Sequence, residues 1–173
     1  TVAAGTVMNE LLLWEASICD DTTAGHGAAA EGERPVEHRL VGHEGGVFAS
    51  SWSTDGTAIV SSSDDRTVRF WKRTGSAWEL QWTSWGHTAR VWKVTLIEER
   101  GIIVSCGEDA AARVWDMEGK CMTSVQNSNG RNLWALAVDP ANTMCATGGN
   151  DCSVKLWELP TVPPPTAGVN PLE

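Results

Sequence analysis

Short runs of alternating apolar and polar residues cover most of the chain, and turns rich in Gly, Asp, Asn and Ser separate them. Between Thr57 and Lys72, two apolar runs flank the turn Asp64-Asp65-Arg66. Trp78, Leu80 and Trp82 then alternate with polar residues, a period of two that predicts a half-buried strand. Runs of this kind, bounded by turn residues, predict an all-β protein of short antiparallel strands.

The same order of strands and turns occurs three times. Each unit begins at Gly-His or a degenerate equivalent and closes on a strand that contains Trp: Gly42-His43 to Trp71-Lys72, Gly86-His87 to Trp115-Asp116, and Ser128-Asn129 to Trp157-Glu158. The starts are 44 and 42 residues apart. This spacing matches the ~40–45 residues of a four-stranded propeller blade, and the Gly-His and Trp-Asp boundaries resemble the WD40 repeat.

The repeats predict how the chain is organised. We expect a partial blade at residues 1–41 with a loop insertion at 17–37, repeats at 42–85 and 86–127, a degenerate repeat at 128–159, and a Pro-rich linker or tail at 160–173. The predicted fold is an open section of a WD40 β-propeller, with three blades plus a partial blade of four-stranded antiparallel sheets. Because seven blades need roughly 290 residues, we expect a fragment of a larger protein.

Three sets of polar side chains occupy matching positions in the repeats. They are His43, Ser61, Asp65 and Trp71; His87, Ser105, Asp109 and Trp115; and, with Asn129 in place of His, Thr147, Asp151 and Trp157. Ser, His and Asp can form a catalytic triad, but a triad would not recur with the same offsets in every repeat. We expect a structural network instead: Asp holds the His ring, His holds the hydroxyl, and the hydroxyl accepts the Trp indole N–H.

Residues at the start of each first strand, and those just before the turn Asp, are candidates for binding a partner. Propellers bind through the face where these loops emerge, and aromatic and Arg side chains dominate the energy of interfaces. The candidates are Phe48, Asp64, Arg90, Trp92, Glu108, Asn132 and Trp134. Packing between adjacent blades explains the Trp residues equally well, so both alternatives stay open.

Composition narrows the function further. The chain carries a net charge of −9, so we do not expect this segment by itself to wrap nucleic acid. Its five cysteines show no paired spacing, which favours a reducing compartment and a cytoplasmic protein. No metal-ligand spacing, cofactor motif or membrane-spanning apolar run occurs, so we expect no metal, no cofactor and no membrane partner.

Several strings resemble the WD-repeat protein 6 family. They are the segment 86–92 that begins Gly86-His87, Gly107-Glu108-Asp109 with Ala112-Arg113-Val114-Trp115, Ala4-Gly5-Thr6-Val7 leading to Leu13-Trp14, and Gly130-Arg131-Asn132-Leu133-Trp134. The resemblance covers most of residues 1–158. It implies part of a large multi-propeller protein, the non-catalytic partner of an FtsJ-like methyltransferase that adds a 2′-O-methyl group to the anticodon loop of tRNA. Asn129 departs from the repeat His, which implies a looser third blade.

Three hypotheses about function follow. The first is a scaffold subunit of a tRNA ribose 2′-O-methylation complex, with an FtsJ-like methyltransferase as its protein partner and tRNA contacted at most indirectly. The alternative is a general WD40 adaptor for protein–protein interactions in signalling or trafficking. An enzyme is the weakest hypothesis, because the repeat already assigns the best acid, base and nucleophile candidates to scaffolding.

Overall fold

The computed structural model describes residues 2–14, 38–126 and 132–161. Within them lie fourteen β-strands and a 3₁₀ turn at Glu98–Arg100. The strands are β1 Val2–Gly5, β2 Glu10–Trp14, β3 His38–Val41, β4 Val47–Trp52, β5 Ala58–Ser63, β6 Thr67–Thr74, β7 Ala77–Trp85, β8 Val91–Ile97, β9 Ile102–Gly107, β10 Ala111–Asp116, β11 Cys121–Gln126, β12 Leu133–Val138, β13 Met144–Gly149 and β14 Val154–Glu158.

These strands form four antiparallel sheets in which each strand pairs with the next one along the chain. We name them the leading blade (β1–β3), blade 1 (β4–β7), blade 2 (β8–β11) and blade 3 (β12–β14). The all-β propeller section predicted from the repeats is confirmed, with four strands in blades 1 and 2 and three described strands in each of the others. The expected insertion at 17–37 and the tail from 162 lie outside the described residues.

The core lies between the blades, since each apolar cluster takes side chains from two neighbouring sheets. Three clusters fill these spaces: Leu11, Leu13, Leu40, Val47, Ile59 and Trp71; Val60, Val68, Phe70, Val91, Val94, Ile103 and Trp115; and Ile102, Val104, Val114, Leu133, Leu136 and Cys145. Burying one Leu or Ile side chain contributes about 1.5–3 kcal/mol. Each blade is therefore stabilised largely by its neighbours, as in other stacked repeat proteins.

The outer strand of blade 1 differs from the simple alternation that the sequence predicts. Leu80 pairs with Trp71, and Trp82 pairs with Phe70, which leaves Gln81 as an extra residue in β7. This β-bulge shifts the register, and Leu80 is 41% exposed rather than half-buried. A single inserted residue is enough to move a side chain to the other face of a strand.

The turn after the second strand of blades 1, 2 and 3 contains one residue with a positive φ, and so does the turn after β1 of the leading blade. These residues are Asn9, Arg66, Ala110 and Cys152, with φ values from 58° to 70°. In the three repeats, the residue just before it is the Asp of the polar set. The turn therefore places that Asp, and the residue in front of it, at the same edge of blades 1, 2 and 3.

Candidate functional site

The inner strands β4, β8 and β12 each carry a β-bulge at their second residue. In β4 the pairing passes from Val47 to Ala49 and leaves Phe48 as the extra residue. Trp92 and Trp134 are the extra residues at the same place in β8 and β12. A bulge re-aims the side chain it carries. The repeat thus presents three large aromatic side chains, here called the aromatic row, from equivalent positions in three consecutive blades.

The aromatic row lines an open cleft together with Asn132. The cleft has a volume of about 380 Å³. The rings of Phe48 and Trp92 lie 4.6 Å apart between centroids, with their planes inclined by 37°. Phe48 is 43% exposed and Trp134 is 53% exposed. Four of the seven residues predicted to bind a partner therefore line one cleft, where Phe48 and Trp134 keep much of their apolar surface in contact with water.

The other three predicted partner residues form a charged bridge between blades 1 and 2. The Arg90 Nε atom donates to Oδ1 of Asp64 at 2.5 Å and lies 3.8 Å from Oε2 of Glu108. These three side chains are between 36% and 50% exposed. Exposed ion pairs contribute at most about 1 kcal/mol to stability. The bridge, called the acidic rim below, therefore does more to define surface charge than to hold the blades together.

The polar sets of blades 1 and 2 form the same chain of hydrogen bonds. In blade 1, His43 Nδ1 lies 2.8 Å from Asp65 Oδ2, and His43 Nε2 lies 2.8 Å from Ser61 Oγ. The indole N–H of Trp71 donates to Ser61 Oγ at 2.9 Å. With Asp bound to Nδ1–H, the hydroxyl donates to Nε2 and accepts from the indole, so each buried polar atom has a partner.

In blade 2 the equivalent distances are nearly identical. His87 Nδ1 lies 2.9 Å from Asp109 Oδ1, and His87 Nε2 lies 2.8 Å from Ser105 Oγ. The Trp115 indole N–H donates to Ser105 Oγ at 2.8 Å. Both serines are 0% exposed. Because the hydroxyl is sealed from solvent and already accepts the indole N–H, a substrate cannot reach it as it would reach a catalytic Ser.

The turn carboxylates are held in their charged form. Burial by itself would raise the pKa of the Asp65 carboxyl, but hydrogen bonds from His43, Thr67 and the backbone N–H of Glu44 outweigh it and hold that pKa below its ordinary value. Burial by itself would likewise raise the pKa of Asp109. Hydrogen bonds from the His87 ring and from two backbone N–H groups outweigh it and hold that pKa below its ordinary value. Both carboxylates thus stay ionised inside the blade and keep accepting these hydrogen bonds.

Blade 3 keeps only part of this arrangement among the described residues. The Trp157 indole N–H donates to Thr147 Oγ1 at 2.7 Å. Asp151 accepts from Ser153 Oγ at 2.7 Å and lies 3.3 Å from Lys155 Nζ. Asn129, which takes the place of the His in this repeat, lies outside the described residues. The hydroxyl–indole contact is therefore common to all three repeats.

Sequence reasoning missed one group of residues near these sites and the backbone bulges that carry the aromatic row. A basic residue follows each turn Asp by four positions and approaches its carboxylate: Arg69 at 3.7 Å, Arg113 at 3.7 Å and Lys155 at 3.3 Å. The recurrence of Asp and a basic residue at this spacing in all three repeats is a signal that could have found them. The bulges under the aromatic row have no comparable sequence signal.

Across residues 2–14, 38–126 and 132–161, His, Cys, Asp and Glu side chains do not gather in threes at a spacing that would hold a metal ion. Cys106, Cys121, Cys145 and Cys152 are free thiols. The same residues include no apolar helix of membrane-spanning length.

Comparison with known proteins gives two findings. The family model described as "WD domain, G-beta repeat" matches residues 34–72, 78–116 and 119–158. The chain is 34% identical, over 98% of its length, to the tRNA (34-2′-O)-methyltransferase regulator WDR6 of Bos taurus, and covers 15% of that protein. For the Homo sapiens protein of the same name, identity is 32% over 92% of this chain and 14% of the relative. The chain thus spans about 15% of the length of these relatives.

Proposed function

The chain belongs to the WD domain, G-beta repeat family, and we propose that it is part of a non-catalytic scaffold in a tRNA ribose 2′-O-methylation complex. The scaffold holds an FtsJ-like methyltransferase as its protein partner. The observation that carries this proposal is the similarity, over 98% of the chain, to a protein named as a tRNA (34-2′-O)-methyltransferase regulator. The chain matches only 15% of that relative, so the proposal concerns the protein to which this segment contributes.

A scaffold role agrees with the chemistry of the polar sets. In blades 1 and 2 the Ser hydroxyl, the His ring and the Asp carboxylate satisfy one another inside the blade. None of these groups is left over to attack a substrate or to move a proton. Networks of this kind make a fold rigid, and a rigid surface is what a docking partner requires.

The partner surface we propose consists of the aromatic row, Asn132 and the acidic rim. Exposed aromatic side chains at the mouth of a cleft are typical of the few residues that dominate the energy of an interface. The aromatic side chains come from three different strands, since blades 1, 2 and 3 each contribute one ring. A partner seated here would contact three blades at once.

The charge of the chain supports a protein partner more than direct contact with tRNA. With a net charge of −9, the segment repels a phosphate backbone. We therefore assign the tRNA contacts to the methyltransferase or to other parts of the scaffold, and we place the protein in the cytoplasm.

The test is co-purification from cells. Full-length wild-type protein should capture an FtsJ-like methyltransferase, and cells that lack the protein should lose 2′-O-methylation in the tRNA anticodon loop. The double variant Trp92→Ala, Trp134→Ala, which removes two rings of the aromatic row, should lose capture while remaining folded. Trp85→Ala is the matched control, because Trp85 is 63% exposed on the outer strand of blade 1, away from the cleft.

Each outcome separates the hypotheses. Capture by wild type and by the Trp85 control, with loss in the double variant, supports both the function and the surface. Capture by all three keeps the methylation complex and discards this surface. The proposal is overturned if the wild-type protein captures no methyltransferase and cells that lack the protein keep their tRNA methylation. The remaining hypothesis is then a general adaptor for protein–protein interactions.

A further inference from the structure

The cleft combines three aromatic rings with a nearby excess of negative charge. From this combination we infer that the aromatic row receives the cationic end of a basic side chain, best an Arg, from an extended segment of the partner protein. The inference rests on the partner-binding role proposed above and names the chemistry that this role would use.

The aromatic rings supply the first part of the argument. A cation placed over the face of a Trp, Tyr or Phe ring is attracted by the negative charge of the π face, most strongly by Trp. The row contains two Trp and one Phe, and the centroids of Phe48 and Trp92 are only 4.6 Å apart. Phe48 and Trp134 are 43% and 53% exposed, so a side chain that enters the cleft reaches them directly.

The acidic rim supplies the charge. Asp64 and Glu108 share the single guanidinium of Arg90, which lies 2.5 Å from one carboxylate and 3.8 Å from the other. Two carboxylates and one guanidinium leave one negative charge beside the start of β8, where Arg90 lies two residues before Trp92 of the cleft. The net charge of the whole chain is −9. A partner that brings a positive charge is therefore attracted, and an acidic partner is repelled.

Asn132 favours a peptide segment over a small cation. It lines the same cleft and carries an amide that both donates and accepts. Peptide backbone offers C=O and N–H groups at regular intervals, so a segment that carries the basic side chain can also pair with this amide.

A nucleobase would also stack on these rings, but the phosphates it brings disfavour it. Single-stranded nucleic acid binds where aromatic platforms lie in a positively charged groove. Here the groove edge and the whole chain are negative. The volume of about 380 Å³ lies near the lower end of the roughly 300–1,000 Å³ of small-ligand sites, which suits one side chain and its flanking backbone.

The experiment is saturation-transfer NMR on the full-length protein with synthetic peptides. The probe is a Gly/Ser peptide with one central Arg, and its matched control carries citrulline, which has the same shape without the charge. Irradiating the protein should transfer signal to the Arg δ-methylene protons, with a dissociation constant of about 1 mM for an isolated side chain in such a site. The citrulline peptide should bind about five- to thirtyfold more weakly.

Variants locate the binding. Trp92→Leu and, separately, Trp134→Leu should each reduce affinity for the Arg peptide by about fivefold or more, while Trp85→Leu should leave it unchanged. Trp134 is largely exposed, so its replacement tests the site even if the Trp92 variant folds poorly. Equal binding of Arg and citrulline peptides, or Arg binding that survives both row variants, overturns the inference.

The two proposals fail separately. Peptide binding that follows this pattern without capture of a methyltransferase refutes the proposed function and keeps the cation site. Capture that depends on Trp92, combined with no preference for Arg over citrulline, keeps the partner surface and refutes the cation site.

Discussion

Replacing Asp109 with Ala should destabilise the protein by about 2–4 kcal/mol. The Asp109 side chain is 3% exposed, and its carboxylate accepts from His87 Nδ1 at 2.9 Å and from the backbone N–H groups of Thr88 and Ala111 at 3.1 and 3.2 Å. The variant leaves the His87 N–H, whose side chain is 0% exposed, without its acceptor. One buried donor left unpaired costs about 1–3 kcal/mol.

The remaining cost comes from the other donors. Ala111 is fully buried, so its N–H also loses its side-chain acceptor, whereas the Thr88 N–H is at an exposed site and can turn to water. Arg113, 3.7 Å away, keeps its charge but loses a partner. Adding a partial contribution from these groups to that of His87 gives the range of about 2–4 kcal/mol.

Urea unfolding followed by Trp fluorescence measures this change, and Glu108→Ala is the matched control. Glu108 is the preceding residue of the same turn, but its side chain is 36% exposed. Its ion pair with Arg90 is long, at 3.8 Å, so removing it should cost little stability. We expect the control to change the free energy of unfolding by less than about 1 kcal/mol. An Asp109→Ala protein as stable as the Glu108→Ala protein would refute the idea that the buried network holds the blade.

The other predictions concern the same interior. Trp115→Phe removes the indole donor to the buried Ser hydroxyl of blade 2 and should cost about 1–2 kcal/mol in the same unfolding assay. The pKa values of both turn carboxylates are held below their ordinary range. The stability that these carboxylates contribute is therefore present above the unfolded pKa of about 3.9 and is lost as pH falls below it. When the urea midpoint of unfolding is plotted against pH, Asp109→Asn should make its decline at acid pH less steep. Cys152 is exposed and should react with iodoacetamide in the folded protein. Cys106 should react only after unfolding, because burial, and then the nearby Cys145, raise the pKa of its thiol to about 12. Equal labelling of the two cysteines in the folded protein would contradict the buried position of Cys106.

The blades themselves could be predicted from the sequence because their signal is repeated. The signal consists of local features: alternating apolar residues, turn residues rich in Asp and Gly, and a recurring Trp near the end of the third strand. Such features predict the fold when residue propensity, hydrophobic pattern, turn chemistry and core packing all favour the same structure. The ends of the strands depend on the turns between them, as at Gly101, which closes the 3₁₀ turn with a φ of 60° directly before β9.

The shape of the cleft could not be predicted in the same way. It depends on bulges at Phe48, Trp92 and Trp134, and a bulge is a choice of hydrogen-bond register between two strands rather than a property of one residue. The same limitation explains why Leu80 is exposed although its strand alternates correctly. Sequence identifies which residues stand at an edge, but the pairing of two strands decides which way each side chain turns.

Blade 3 shows how the fold keeps the aromatic row in place where the repeat is degenerate. Its described residues retain the Thr147–Trp157 contact, and additional contacts reach it from the 3₁₀ turn of blade 2. The Arg100 guanidinium donates to the backbone carbonyls of Asn142 and Pro160, the latter at 2.9 Å. These acceptors lie in the turn before β13 and just after β14, so they hold the backbone of blade 3 rather than one side chain. Leu133, the neighbour of Trp134, also packs in an apolar cluster shared with blade 2. Contacts between the blades therefore help to set the position of Trp134 relative to Trp92, and the partner recognition that we propose for the row would depend on them.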